Sequence, residues 1–65
     1  MDRILSYFDV TGETIDGEII ELSWANPMTQ LHAEFAAKEL LRDLGGGHLD
    51  VWFAETGEFA FDVEI

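Results

Sequence analysis

The stretch HLDVWFAETGEFAFDVEI, residues 48–65, decides the fold. From Phe59 onward the alternation is strict: Phe59, Phe61, Val63 and Ile65 point one way, and Glu58, Ala60, Asp62 and Glu64 the other. Leu49, Val51 and Phe53 form a matching apolar set upstream, interleaved with His48, Asp50, Trp52 and Ala54. Period-2 alternation marks strands buried on one face only, and two such runs around Thr56-Gly57 make a β-hairpin. Opposed residues share a face, so a two-residue Thr56-Gly57 turn would mismatch the faces. A three-residue loop, Glu55 to Gly57, matches them, with Gly57 left-handed. Phe53 is then expected opposite Phe59, Val51 opposite Phe61 and Leu49 opposite Val63 on the core side. On the other side Trp52 meets Ala60, His48 meets Glu64, and Asp50 meets Asp62.

Working outward, Gly45-Gly46-Gly47 before the hairpin is a helix stop. The helix it ends is expected to start with Asn26 as N-cap and Pro27 in the first helical position, and to run to Leu44. Ala33, Ala36, Ala37, Leu40, Leu41 and Leu44 fall in one sector at 100° per residue, the sheet-facing stripe. Glu34 and Lys38 form an i,i+4 pair on the outer side. Leu31 and Phe35 share that outer side, either packing against the sheet end or Met28, or contacting a partner or a second copy.

Two further strands precede the helix. Residues 3–10 put Ile4, Ser6, Phe8 and Val10 inward and Leu5, Tyr7 and Asp9 outward. Residues 18–24 put Ile20, Leu22 and Trp24 inward and Ile19, Glu21 and Ser23 outward. Thr11-Gly12 and Asp16-Gly17 are both turn signals between them. One arrangement turns at Thr11-Gly12, pairs Phe8 with Ile15 and, through a bulge at Asp16-Gly17, brings Ile4 opposite Ile20. The other makes residues 11–17 a longer loop. The expected fold is α+β: β-β-α-β-β, a four-stranded antiparallel sheet with one helix packed on one face, the strand order left open.

Sixty-five residues make one domain, which buries only about 60% of its unfolded surface. At 48% hydrophobic and 12% aromatic, the composition is that of a folded chain rather than a disordered acidic tail. The absence of cysteine excludes disulfides and thiolate metal sites and fits a reducing compartment. No apolar run approaches a membrane span, and Met-Asp-Arg-Ile-Leu-Ser carries no signal-peptide pattern, so a cytoplasmic location is expected. The outlier is a net charge of −11 with a pI near 4.1. Over an expected diameter of about 28 Å, duplex DNA would carry about 16 phosphate charges. Such a balance argues against direct nucleic-acid or anionic-membrane binding and for a basic partner.

The sequence points away from catalysis: it has no nucleophile–base constellation, and its glycine run follows the helix instead of preceding one. No cofactor is implied. His48, Asp50, Asp62 and Glu64 cluster on one hairpin face, but a flat sheet lacks the enclosing loop that hard cations need, so no metal site is assigned. The informative feature is Asp50 opposite Asp62, since like charges across strands are destabilising. The expected partner-binding surface comprises Asp50, Trp52, Glu58, Asp62 and Glu64, with Tyr7, Asp9, Glu18 and Glu21 from the first hairpin. There carboxylates supply steering and a polar rim around aromatic anchors. This describes a nucleic-acid mimic that occludes a basic surface of a larger protein. The rival is a small adaptor or antitoxin-like domain, a monomer or weak homodimer, associating through Leu31 and Phe35.

In its small size, acidity and lack of catalytic motifs, the chain resembles the phage-encoded anti-CRISPR proteins, those acting on type I surveillance complexes, type I-C among them. The resemblance covers the whole chain in character and rests on no signature motif, so it assigns no residue a role. It implies a cytoplasmic inhibitor of the complex's DNA binding, acting at the basic subunit that reads the protospacer-adjacent motif.

Overall fold

In a computed structural model describing residues 4–65, the chain runs β1 (Phe8–Thr14), β2 (Ile19–Ser23), α1 (Gln30–Asp43), β3 (Gly47–Phe53) and β4 (Phe59–Glu64). The strands form one antiparallel sheet in the order β2-β1-β3-β4, so the two hairpins join through their first strands. α1 covers one face, lying over β3 and β4. Ala33, Ala37 and Leu41 of the expected helix stripe are fully buried against Phe8, Val10, Leu49, Val51 and Val63. Ala36 is half-buried, and Leu40 and Leu44 pack around that core. The small alanines let the helix approach closely while Leu41 and Phe8 fill the volume. Ile20 of β2 is buried, with Leu22 and Trp24 packed against the core beside it as expected.

The first hairpin differs from both expected arrangements. Thr11 and Gly12 lie inside β1, and the turn is Ile15-Asp16-Gly17. Thr14 N–H donates to Glu18 O at 2.8 Å, Gly17 has a φ of +88°, and Thr14 Oγ1 accepts from Glu18 N–H at 2.9 Å. Gly12 is required in the strand by close approach. A Cβ there would run into the His48 carbonyl oxygen and come within 2.8 Å of Leu49 Cδ2. The glycine therefore reports the β1–β3 contact, where its dipeptide suggests a turn. Phe8 consequently does not pair with Ile15; Val10 opposes Leu22 and Gly12 opposes Ile20. Ile4 is 80% exposed instead of inward, and the expected strand start at Arg3 lies outside the described residues.

Ser6 instead makes an isolated bridge with Met28, through Ser6 N–H to Met28 O and Met28 N–H to Ser6 O, both 2.9 Å. That bridge holds Met28 extended and moves the helix start past Asn26 and Pro27. Thr29 is the N-cap, extended at φ −71° and ψ 159°, its Oγ1 accepting from His32 N–H at 3.2 Å. The helix ends as the glycines require. Gly45 N–H donates to Arg42 O and Gly46 N–H to Leu41 O, with Gly45 left-handed at φ +88°, a Schellman motif. Among the described residues the helix's ion pair is Glu39–Arg42 at 3.3 Å, rather than Glu34–Lys38.

The closing hairpin keeps the expected register at its open end: His48 opposes Glu64, Leu49 Val63, Asp50 Asp62 and Val51 Phe61. Toward the turn it departs by two compensating steps. Phe53 N–H donates to Glu58 O at 2.8 Å, so the loop holds four residues, Ala54 to Gly57, with Gly57 left-handed at φ +77° as expected. A bulge in β4 then restores the register, leaving Trp52 opposite Phe59 rather than Ala60. Phe59 thereby leaves the core face, 52% exposed, and meets Trp52 edge-to-face at 5.3 Å. Phe53 stays inward against Phe8, with ring centroids 5.2 Å apart. Ile65, also expected inward, is half exposed at the strand's end.

Candidate functional site

Pairing of the four strands puts twelve side chains in three rows on the face opposite the helix. Ser23, Asp9, Trp52 and Phe59 form the first row; Glu21, Thr11, Asp50 and Asp62 the second; Ile19, Glu13, His48 and Glu64 the third. Six of the twelve are carboxylates and none is lysine or arginine. Neighbouring strands lie about 4.8 Å apart and alternate residues about 6.7 Å, so the patch measures about 14 by 13 Å. Duplex DNA of about 13 Å carries about eight phosphates, so the face approaches the charge density of a nucleic acid. Over the whole molecule, whose longest extent is 40 Å, the net charge per unit length is about half that of duplex DNA. Six of the fourteen acidic residues share this one open face.

Hydrogen bonds order this face. Ser23 Oγ donates to Asp9 Oδ1 at 2.6 Å, and Trp52 Nε1–H donates to Thr11 Oγ1 at 3.0 Å, fixing the indole across β1 and β3. His48 does most to organise the charges. Its Nε2 lies 3.0 Å from Asp50 Oδ1 and 3.3 Å from Asp62 Oδ2, and its Nδ1 lies 3.8 Å from Glu64 Oε2. The hydrogen bond to Asp50 raises the imidazole pKa above its ordinary 6.5; partial burial opposes the rise, and the charges of Asp50, Asp62 and Glu64 add to it. The Asp50–Asp62 opposition is therefore bridged by an imidazole, so the expected like-charge cost is relieved. His48, Asp50 and Asp62 bring ligand atoms within 4.8 Å of one another, a donor set with which a divalent cation is compatible.

Of the residues expected to form the surface, Asp9, Glu21, Asp50, Trp52, Asp62 and Glu64 come together on the grid. Tyr7 lies one step beyond Asp9, its carbonyl accepting from Ala54 N–H at 2.9 Å, and is 44% exposed. Glu18 and Glu58 do not join. Glu18 opposes the buried Thr14 at the first turn; the four-residue loop puts Glu58 opposite the inward-facing Phe53, and the β4 bulge gives the place expected for Ala60 to Phe59. Leu31 and Phe35 are 64% and 63% exposed, so packing against the sheet end or Met28 does not cover them. Sequence reasoning missed Glu13, Phe59 and the counter-charge role of His48. The i,i+2 spacing of His48 and Asp50, with Glu64 opposite, was the available signal for the last of these; Glu13 required β1 to continue through Gly12.

Among the described residues no helix is long and apolar enough to cross a membrane. No family model, curated protein or solved structure matches the chain.

Proposed function

We propose that the protein is an acidic nucleic-acid mimic that binds a basic nucleic-acid-binding surface of a larger protein and excludes DNA or RNA from it. One observation carries the reading: six carboxylates share a twelve-position sheet face with Trp52, Phe59 and Ile19, and the face's one basic group is an imidazole. The carboxylates stand in for phosphates, and the exposed Phe59 with the half-buried Trp52 supplies apolar contact that a phosphate backbone lacks. The overall resemblance to anti-CRISPR proteins makes a type I surveillance complex the first target to try, at its basic subunit that reads the protospacer-adjacent motif. The protein's action there is occlusion, without catalysis.

A pull-down from a host lysate at low salt, eluted by a salt step, tests this. The expected eluate is a basic nucleic-acid-binding protein, released as the screening length falls from about 10 Å at 0.1 M salt to about 3 Å at 1 M. A partner retained through high salt, or one displaced by neither salt nor nucleic acid, contradicts it. The exposure of Leu31 and Phe35 favours a second reading, an adaptor that associates through the outer helix face. Glutamate at either position would then abolish binding while charge reversal on the sheet would not.

A further inference from the structure

Beside the sheet face, at the end of the molecule where the closing hairpin turns, a cleft of about 250 Å³ is lined by Ser6, Tyr7, Phe53, Glu55, Thr56 and Glu58. It is smaller than the roughly 300–1,000 Å³ of sites that hold whole small molecules, and suits one inserted side chain. Two lining residues are aromatic and two are carboxylates. Neither Glu55 nor Glu58 belongs to an ion pair among the described residues, and no cation lines the cleft.

The Phe53 ring and the backbone around the cleft are held in place. Phe53 is packed against Phe8 and bonded through its N–H to Glu58 O, and its carbonyl accepts from Gly57 N–H at 2.7 Å. Glu58 N–H donates to Thr56 Oγ1 at 3.2 Å, and Ala54 N–H ties the turn to the Tyr7 carbonyl. The backbone frame of the cleft is therefore in place before any partner arrives, and binding has only the side chains of Tyr7, Glu55 and Glu58 to order.

We infer that this cleft receives the guanidinium of one arginine from the basic partner, its plane against Tyr7 and its N–H groups on Glu55 and Glu58. The inference rests on the proposed reading that the partner is basic, and names one anchor of that contact. A guanidinium suits the walls better than an ammonium. It is flat, more weakly hydrated, stacks on aromatic faces and can fork onto a carboxylate, whereas an ammonium is a strongly hydrated point charge. Arginine is also among the side chains that dominate protein interfaces when seated in a pocket. The site adjoins the Asp9–Trp52 row, so a partner arginine here and basic groups over the grid can be engaged together.

The test titrates the full chain with N-acetyl-arginine methylamide and follows backbone amide shifts, with the neutral citrulline analogue and the lysine analogue as controls. Saturable shifts at Tyr7, Phe53, Glu55 and Glu58 are expected, larger than with lysine and absent with citrulline. Tyr7→Leu should weaken the binding about two- to fivefold, and Tyr7→Phe should retain it. Glu58→Gln, which alters no packed side chain, should weaken it independently and covers the case in which Tyr7→Leu disturbs the fold. Shifts confined to Asp50, Asp62 and Glu64, equal shifts from citrulline or lysine, or no saturable shifts overturn the cleft assignment. None of those results touches the acidic face as a partner surface. Conversely, a failed salt-step capture alongside arginine shifts in the cleft would sink the proposed function alone.

Discussion

His48 Nε2 sits 3.0 Å from Asp50 Oδ1, and the same nitrogen is 3.3 Å from Asp62 Oδ2, so one imidazole bridges the two strands of the closing hairpin. The raised pKa of His48 makes this bridge pH-dependent, with a definite sign. A group whose folded pKa lies above its unfolded value gives a stability contribution that is complete below the unfolded pKa, here 6.5, and is lost as pH rises through the folded value. Urea midpoints are therefore expected to fall in the wild type as pH rises from 6.5 through the raised value of the folded state. In His48→Gln that pH-dependent fall should disappear. An unchanged fall in the variant would remove His48 as its cause.

Gly12 and Gly17 test two different reasons for glycine. Gly12→Ala forces a Cβ against the His48 carbonyl in the middle of the sheet and should cost about 1–3 kcal/mol, as overpacking does. Gly17→Ala meets open space, and its cost should be the about 1–2 kcal/mol of a left-handed alanine. Urea denaturation of both variants gives the comparison. A neutral Gly12→Ala would mean that β1 does not run through residues 11 and 12.

The β4 bulge separates Phe59 from the core. Phe59→Ala should cost only about 0.5–1.5 kcal/mol, the worth of its edge-to-face contact with Trp52, and should change tryptophan fluorescence. Leu41→Ala, fully buried, should cost about 2–5 kcal/mol. A cost for Phe59→Ala as large as that for Leu41→Ala would restore the unbulged register.

The outer helix face gives the contrast with the sheet. Leu31→Glu and Phe35→Glu alter exposed positions and should change stability by no more than about 0.5 kcal/mol. Light scattering and partner binding should both match the wild type. Loss of binding with an intact fold would transfer the site to the helix.

Legibility followed the locality of the signal. The helix stripe Ala33-Ala37-Leu41, its glycine stop and the pairing of Asp50 with Asp62 depend on short-range periodicity, and all were readable. Strand order was not, because the β1–β3 contact that sets it leaves only one trace, the steric need for Gly12, and Thr11-Gly12 looks like a turn. The helix start was displaced by the Ser6–Met28 bridge, a tertiary contact that no capping preference at Asn26 reveals. The loop lengthening and the bulge at Ala60 cancel, so strict alternation gives the open end of the hairpin correctly and puts Phe59 on the wrong face. That error hid the aromatic pair, and the truncated β1 hid Glu13.

In the proposed function the carboxylate face, and not the helix, competes with nucleic acid. The most direct measurement is retention of target duplex by a type I surveillance complex in the presence of the wild-type protein and of Asp50→Lys/Asp62→Lys/Glu64→Lys. Both should be run at two salt concentrations, with circular dichroism confirming the fold. The wild type should displace DNA at low salt and progressively less as salt rises, and the folded triple variant should not displace it. Displacement by the triple variant equal to that of the wild type, or no displacement by either, would contradict the proposed function.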